Sequence, residues 1–122
     1  MKTILLSIAL LIGIAGSPLR AQSPADGRGK AVFDKWCMPC HGAEAPKTGA
    51  FAAGMLPGTL ALSVKYKGKE PAVLAQRTDL TPALIKTVVR HGLFGMPITR
   101  KTEIGDAELD DVVAYLTRNK RP

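Results

Sequence analysis

The chain has 122 residues, 46% of them apolar, and its seventeen Lys and Arg exceed its ten Asp and Glu to give a formal charge of +7. That length excludes a large multidomain enzyme, and the apolar content excludes a disordered chain. With only two cysteines and two histidines, neither a disulfide-dense scaffold nor a Cys/His-rich zinc array can be built.

The first segment reads as an export signal. Lys2 supplies a positive start, Ile4 to Ile14 is apolar apart from Ser7 and Gly13, and Gly16, Ser17 and Pro18 break the run. A run of about 11 residues is too short for a bilayer, which needs about 20, so this is a secretory signal peptide rather than an anchor. Ala21 is its expected last residue, because a cut after Ser17 or Ser23 would leave a proline just beyond it. The expected organisation is a signal peptide over 1–21 and one domain over 22–122, with no membrane span once the signal is removed. Without Lys2 and Arg20, fifteen basic residues face ten acidic ones, a charge of +5. The short Lys-initiated leader points to a periplasmic protein.

Three helices follow in the remainder. The first starts at Ser23-Pro24, with Ser as cap and Pro at the first helical position, and carries Gly29, Val32, Phe33 and Trp36 on one face. The second starts at Thr81-Pro82 by the same logic, presents Leu84, Ile85, Val88 and Val89, and stops at Gly92. The third starts near Gly105-Asp106, with Glu108 in its first turn where negative charge suits the helix dipole. Leu109, Val112, Val113 and Leu116 form its buried face, and Arg118 and Lys120 close it. From His41 to Leu80 there is no long periodic pattern, although a short helix from Thr59 to Tyr66 fits. A loop of this length in a small domain is expected to wrap something. No segment alternates as a strand, so the fold class is all-α with a long enclosing loop.

Cys37-Met38-Pro39-Cys40-His41 is C-x-x-C-H, the attachment signature of c-type haem. Two thiols three residues apart on one helical turn face the same porphyrin edge and can add across its two vinyl groups. His41, next in the chain, is then directed under the iron. The six aromatic residues, Phe33, Trp36, Phe51, Tyr66, Phe94 and Tyr115, are few for such a domain, and one covalent haem c would supply the missing apolar centre. Three readings compete. Trp36 to Cys40 also looks like a thioredoxin-type redox site, but that fold needs an apolar strand before the motif, where this chain has Gly27 to Lys35, amphipathic and charged. Zinc would need four ligands, and the adjacent Cys40 and His41 fit one tetrahedron poorly. A plain Cys37–Cys40 disulfide would leave His41 unexplained.

One histidine leaves the sixth iron position open or filled. Met38, Met55, His91 and Met96 are the candidates. Met38 lies within the attachment turn, on the wrong side of the iron, and His91 ends a helix. Met96 stands in Gly95-Met96-Pro97 between two helices, where a loop can lay a thioether on iron with Pro97 stiffening the approach. His41 and Met96 are therefore the expected metal ligands, and Cys37, Cys40, His41 and Met96 the expected cofactor-binding residues.

These features together resemble the class I c-type cytochromes over essentially all of Gln22 to Pro122. The matching residues are Gly29 with Phe33, the C-M-P-C-H motif, Met96-Pro97 and Tyr115-Leu116. The resemblance implies that the first and last helices cross at Gly29, with Phe33 and Tyr115 packed there. It also implies that a loop carbonyl, from a residue near Pro57, holds the ring of His41. More narrowly, Leu80-Thr81-Pro82 to Arg90-His91-Gly92 and Met96-Pro97 resemble the cytochrome subunits of flavocytochromes of the 4-cresol dehydrogenase (p-cresol methylhydroxylase) type. Relatives there commonly carry Asn at the position of His91, so no role for His91 is borrowed. That likeness implies a single-electron carrier, not itself an enzyme. Its electrons would come from a flavoprotein dehydrogenase acting on a phenolic or related aromatic compound. Lys65, Lys67, Lys69, Arg100 and Lys101 read either as solvated loop charges or as a docking rim for an acidic partner. No basic stripe with interleaved aromatics marks a nucleic-acid site. The alternatives are a periplasmic thiol–disulfide oxidoreductase using Cys37 and Cys40, and a freely diffusing cytochrome serving another respiratory donor.

Overall fold

A computed structural model describes residues 24–43 and 54–120. The expected signal peptide, the Ser23 cap and Phe51 lie outside the described residues. Five helices follow one another: α1 (Pro24–Trp36), α2 (Met38–His41), α3 (Pro57–Tyr66), α4 (Pro82–His91) and α5 (Asp106–Thr117), with a 3-10 turn at Leu74–Gln76 between α3 and α4. No strand occurs among the described residues; an isolated bridge pairs Leu93 with Met96. The all-α reading holds.

The scaffold is the crossing of α1 on α5. Gly29 makes it possible: a Cβ placed there would stand 2.0 Å from the Asp111 carbonyl oxygen and 2.8 Å from Tyr115 Cβ. With no side chain in the way, the two backbones close up, and Phe33 meets Tyr115 with ring centroids 5.4 Å apart and planes tilted by 49°. Arg28 forks onto Asp111 across the same crossing, Nε to Oδ2 at 2.9 Å and a terminal nitrogen to Oδ1 at 3.0 Å. The crossing and its aromatic pair are what the resemblance to class I cytochromes implies.

α5 buries its whole expected face, Leu109, Val112, Val113 and Leu116, together with Tyr115. Its first turn is fixed by the Glu108 carboxylate, which accepts the Gly105 N–H at 2.7 Å. At the other end the Arg118 guanidinium lies 3.9 Å over the Tyr115 ring. α4 is capped as expected, the Thr81 hydroxyl accepting from the Leu84 N–H at 3.2 Å, and it stops at Gly92, whose φ is +72°. Two ion pairs tie α4 to α5, Arg90 to Asp106 at 2.9 Å and Lys86 to Asp110 at 2.5 Å.

The expected apolar stripe of α4 divides: Ile85 and Val89 are buried, while Leu84 is 44% exposed and Val88 half-buried. Trp36 likewise stays 40% exposed at the end of α1. These side chains face a central cavity rather than another helix. The short helix expected from Thr59 begins earlier, with Pro57 as its first residue, because a proline lacks only an N–H that the first turn would leave unpaired anyway.

The crossing makes a direct prediction. Gly29→Ala should lower stability by at least about 2 kcal/mol, since an added methyl meets backbone rather than a movable side chain. Gly27, in the same helix, has nothing within 4 Å of a built Cβ, so Gly27→Ala should be neutral or stabilise by up to about 1 kcal/mol. Chemical denaturation of the two variants beside the wild type measures both; equal effects would contradict the close crossing.

Candidate functional site

The helices enclose a cavity of about 740 Å³. Its wall is overwhelmingly apolar, with Leu80, Ile85, Val89, Ile104, Val112 and Leu116 contributed by the core. Cys37, Cys40 and His41 open onto it from the α1–α2 junction, and Met96 opens onto it from the loop after α4. All four expected cofactor-binding residues thus line one space. The remaining sixth-position candidates do not. Met38 and Met55 are exposed and away from the lining. His91 is exposed, with Nδ1 placed 3.0 Å from the Thr87 carbonyl of its own helix.

The motif sits on helical backbone. The Cys37 N–H donates to the Phe33 carbonyl at 2.8 Å and the His41 N–H to the Cys37 carbonyl at 2.8 Å. Both sulfurs therefore ride on the extension of α1, which α5 holds in place. Cys37 is half-buried and Cys40 exposed. Burial pushes the Cys37 thiol up to about 11, with Cys40 adding to the shift. A thiol–disulfide catalyst needs the opposite, a depressed thiol, and the parallel sheet of that fold has no strands here among the described residues. Nor, among those residues, do three His, Cys, Asp or Glu side chains converge as a metal cluster.

His41 is half-buried, and burial lowers its pKa, which keeps the imidazole in the neutral form that binds metals. Its Nδ1 is buried without a hydrogen-bond partner among the described residues. The carbonyl near Pro57 expected to hold this nitrogen does not engage it. Instead the first turn of α3 lies against the ring: a Cβ on Gly58 would stand 2.6 Å from His41 Cε1.

The loop that carries Met96 is held by its backbone. The Leu93 and Met96 amides each donate to the other's carbonyl, at 3.2 and 2.9 Å. Between them Phe94 takes φ +52° and is 96% exposed. Farther on, the Thr99 N–H donates to the Val89 carbonyl at 2.8 Å, and Arg90 donates to the Thr99 carbonyl at 3.1 Å. The segment from Leu93 to Thr99 is thereby clamped along α4.

One cavity residue escapes sequence reasoning. Arg77 is only 2% exposed. Its Nε donates to Asp79 Oδ1 at 2.8 Å, a terminal nitrogen donates to Oδ2, and its Cζ lies 4.1 Å from the Tyr66 ring centroid. The Asp79 hydrogen bonds raise its pKa and hold it charged. The only sequence signal is an aspartate two residues on. Lys65, Lys67, Lys69, Arg100 and Lys101 are all exposed; Lys101 also pairs with Asp106 at 2.7 Å, and Lys65 lies 5.2 Å over the Tyr66 ring.

A large apolar cavity lined by two cysteine sulfurs, a half-buried imidazole, a thioether and a buried guanidinium fits a haem. Left to water, this apolar wall would be unfavourably hydrated, so an apolar group seated in the space would stabilise the fold.

The family model described as "Cytochrome C oxidase, cbb3-type, subunit III" matches residues 24–116, which reach from the start of α1 to the last turn of α5. No curated protein and no solved structure matches. No helix among the described residues is long and apolar enough to cross a membrane.

Replacing both thiols, Cys37→Ala with Cys40→Ala, should leave a chain with little far-UV helical signal and no cooperative thermal transition. A double variant that kept wild-type helicity and cooperativity would show that the cavity is filled or closed some other way.

Proposed function

The chain belongs to the cbb3-type cytochrome c oxidase subunit III family of c-type cytochrome domains and carries a covalently bound haem c, and from that premise we propose that it is an exported single-electron carrier. In this reading Cys37 and Cys40 bear the two thioether bonds, His41 and Met96 hold the iron, and the signal peptide over 1–21 directs the protein to the periplasm. The observation that carries the reading is the convergence of these four side chains on one apolar cavity. When bound, the haem supplies a one-electron iron couple; the chain supplies its setting. α1, locked on α5, positions the two sulfurs and His41. The clamped 93–99 segment presents the Met96 thioether, and an axial methionine raises the reduction potential. The apolar wall excludes water, which disfavours the more highly charged ferric state. Arg77, the buried cation at the wall, would receive a haem carboxylate.

The donor we propose is a flavoprotein dehydrogenase that oxidises a phenolic or related aromatic compound. Support comes from the likeness of Thr81 to Pro97 to the cytochromes of flavocytochromes, and from the mature charge of +5, which suits an acidic face. Docking would place the partner at the mouth of the cavity near Met96, with Lys67 and Arg100 at the rim. Rim charges act mainly on association rate and are screened within about 8 Å at physiological salt. The family match also favours a second reading, a carrier serving a respiratory complex.

Three measurements test these assignments. Oxidised wild type should show a weak band near ~700 nm, the mark of sulfur on ferric iron; Met96→Ala should lose the band and lower the potential, while Met55→Ala and His91→Ala keep both. Persistence of the band in Met96→Ala would remove Met96 as ligand. Arg77→Gln should lower the potential while leaving the band intact, and an unchanged potential would dissociate Arg77 from the haem. In stopped flow, a reduced flavoprotein dehydrogenase acting on phenolic compounds should reduce the haem rapidly, more slowly at high salt and in Lys67→Glu. Fast reduction by a quinol-oxidising complex alone would favour the respiratory reading.

A further inference from the structure

We propose that Gly58 and Thr59, in the first turn of α3, form the backstop that fixes the plane of the His41 imidazole and thereby tunes the iron that His41 holds. The inference rests on the reading of His41 as a ligand and concerns what orients it. A Cβ on Gly58 would stand 2.6 Å from His41 Cε1, 2.7 Å from Nδ1 and 2.8 Å from the Cys40 carbonyl oxygen. All three distances are shorter than real Cβ contacts, and one of the atoms is backbone, so glycine alone fits between α3 and the ring.

Thr59 fixes where that glycine stands. It is 2% exposed, and its hydroxyl donates to the Gly42 carbonyl at 2.7 Å. Gly42 is the residue immediately after His41, so this buried bond ties the start of α3 to the end of the attachment turn. Pro57 at the first helical position stiffens the same turn. The His41 Nδ1 is buried, and packing against Gly58 limits how far the ring can turn. Partners that orient a metal ligand tune the metal without touching it. Gly58 and Thr59 are positioning residues of this kind.

The ring plane of an axial imidazole is read by the spread of the hyperfine-shifted haem methyl resonances and by the g-values of the ferric low-spin state. Gly58→Ala should shift both and move the reduction potential, with the haem still covalent. Thr59→Val, which keeps the shape and removes the hydroxyl, should shift them in the same sense. Thr59→Ser, which keeps the hydroxyl, should return them to wild type, and Gly27→Ala should leave them unmoved. If Gly58→Ala fails to mature, Thr59→Val against Thr59→Ser carries the test alone. Wild-type resonances, g-values and potential in Thr59→Val or Gly58→Ala, with only thermal stability lowered, would overturn the backstop. A wild-type ferric spectrum without histidine ligation would instead overturn the His41 assignment beneath it.

Discussion

The space at the centre of the domain is the constraint on which the structure depends. Ten buried apolar side chains make up the core, and several of them, among them Ile85, Val112 and Leu116, also form the wall of a 740 Å³ cavity. The chain therefore has no solid core to fall back on. A group bound only by packing would leave with each opening of a domain this small, whereas a covalent one keeps the centre occupied. The attachment turn is accordingly built onto α1 and carried by the close Gly29 crossing on α5.

That crossing and the 93–99 segment divide the work. α1 and α5 hold the Cys37–His41 side of the cavity through backbone contact, which tolerates little movement. The Met96 side is held by hydrogen bonds, Leu93 with Met96, Thr99 with Val89, and Arg90 with Thr99. Arg90 also reaches Asp106, so the distal loop is registered to the start of α5 as well as to α4. Both faces of the cavity are thus referred to one helix, which keeps their separation constant while the charge at the centre changes. The Phe94 turn, exposed and at positive φ, is the part of this assembly where backbone strain is concentrated; residues held in the left-handed region cost of order 1–3 kcal/mol.

Much of this was legible in the residues. α5 could be read in full because Leu109, Val112, Val113 and Leu116 are all buried, so helical periodicity and burial coincide. α4 was legible in extent; that its apolar stripe lines the cavity was not, because an apolar pattern does not distinguish a helix from a bound group as the thing covered. Pro57-Gly58 looked like loop punctuation; proline at the first helical position and glycine in a turn give the same local signal, and only the approach of His41 separates them. Arg77 was invisible, since a buried cation leaves no periodic trace and its partners Asp79 and Tyr66 acquire meaning only when the chain between them folds back. That Cys37, Cys40, His41 and Met96 would line one space was legible because C-x-x-C-H is a covalent signature and Gly-Met-Pro sits between two recognisable helices.

The central claim is that a haem is bonded covalently to the chain and fills its centre. Acid–acetone extraction of the purified protein, followed by an alkaline pyridine spectrum of both fractions, tests it most directly. The account predicts that the colour stays with the precipitated polypeptide and that its spectrum is that of a haem with both vinyl groups saturated by thioether bonds. Colour that passes into the acetone, with the spectrum of an unmodified haem, would contradict it.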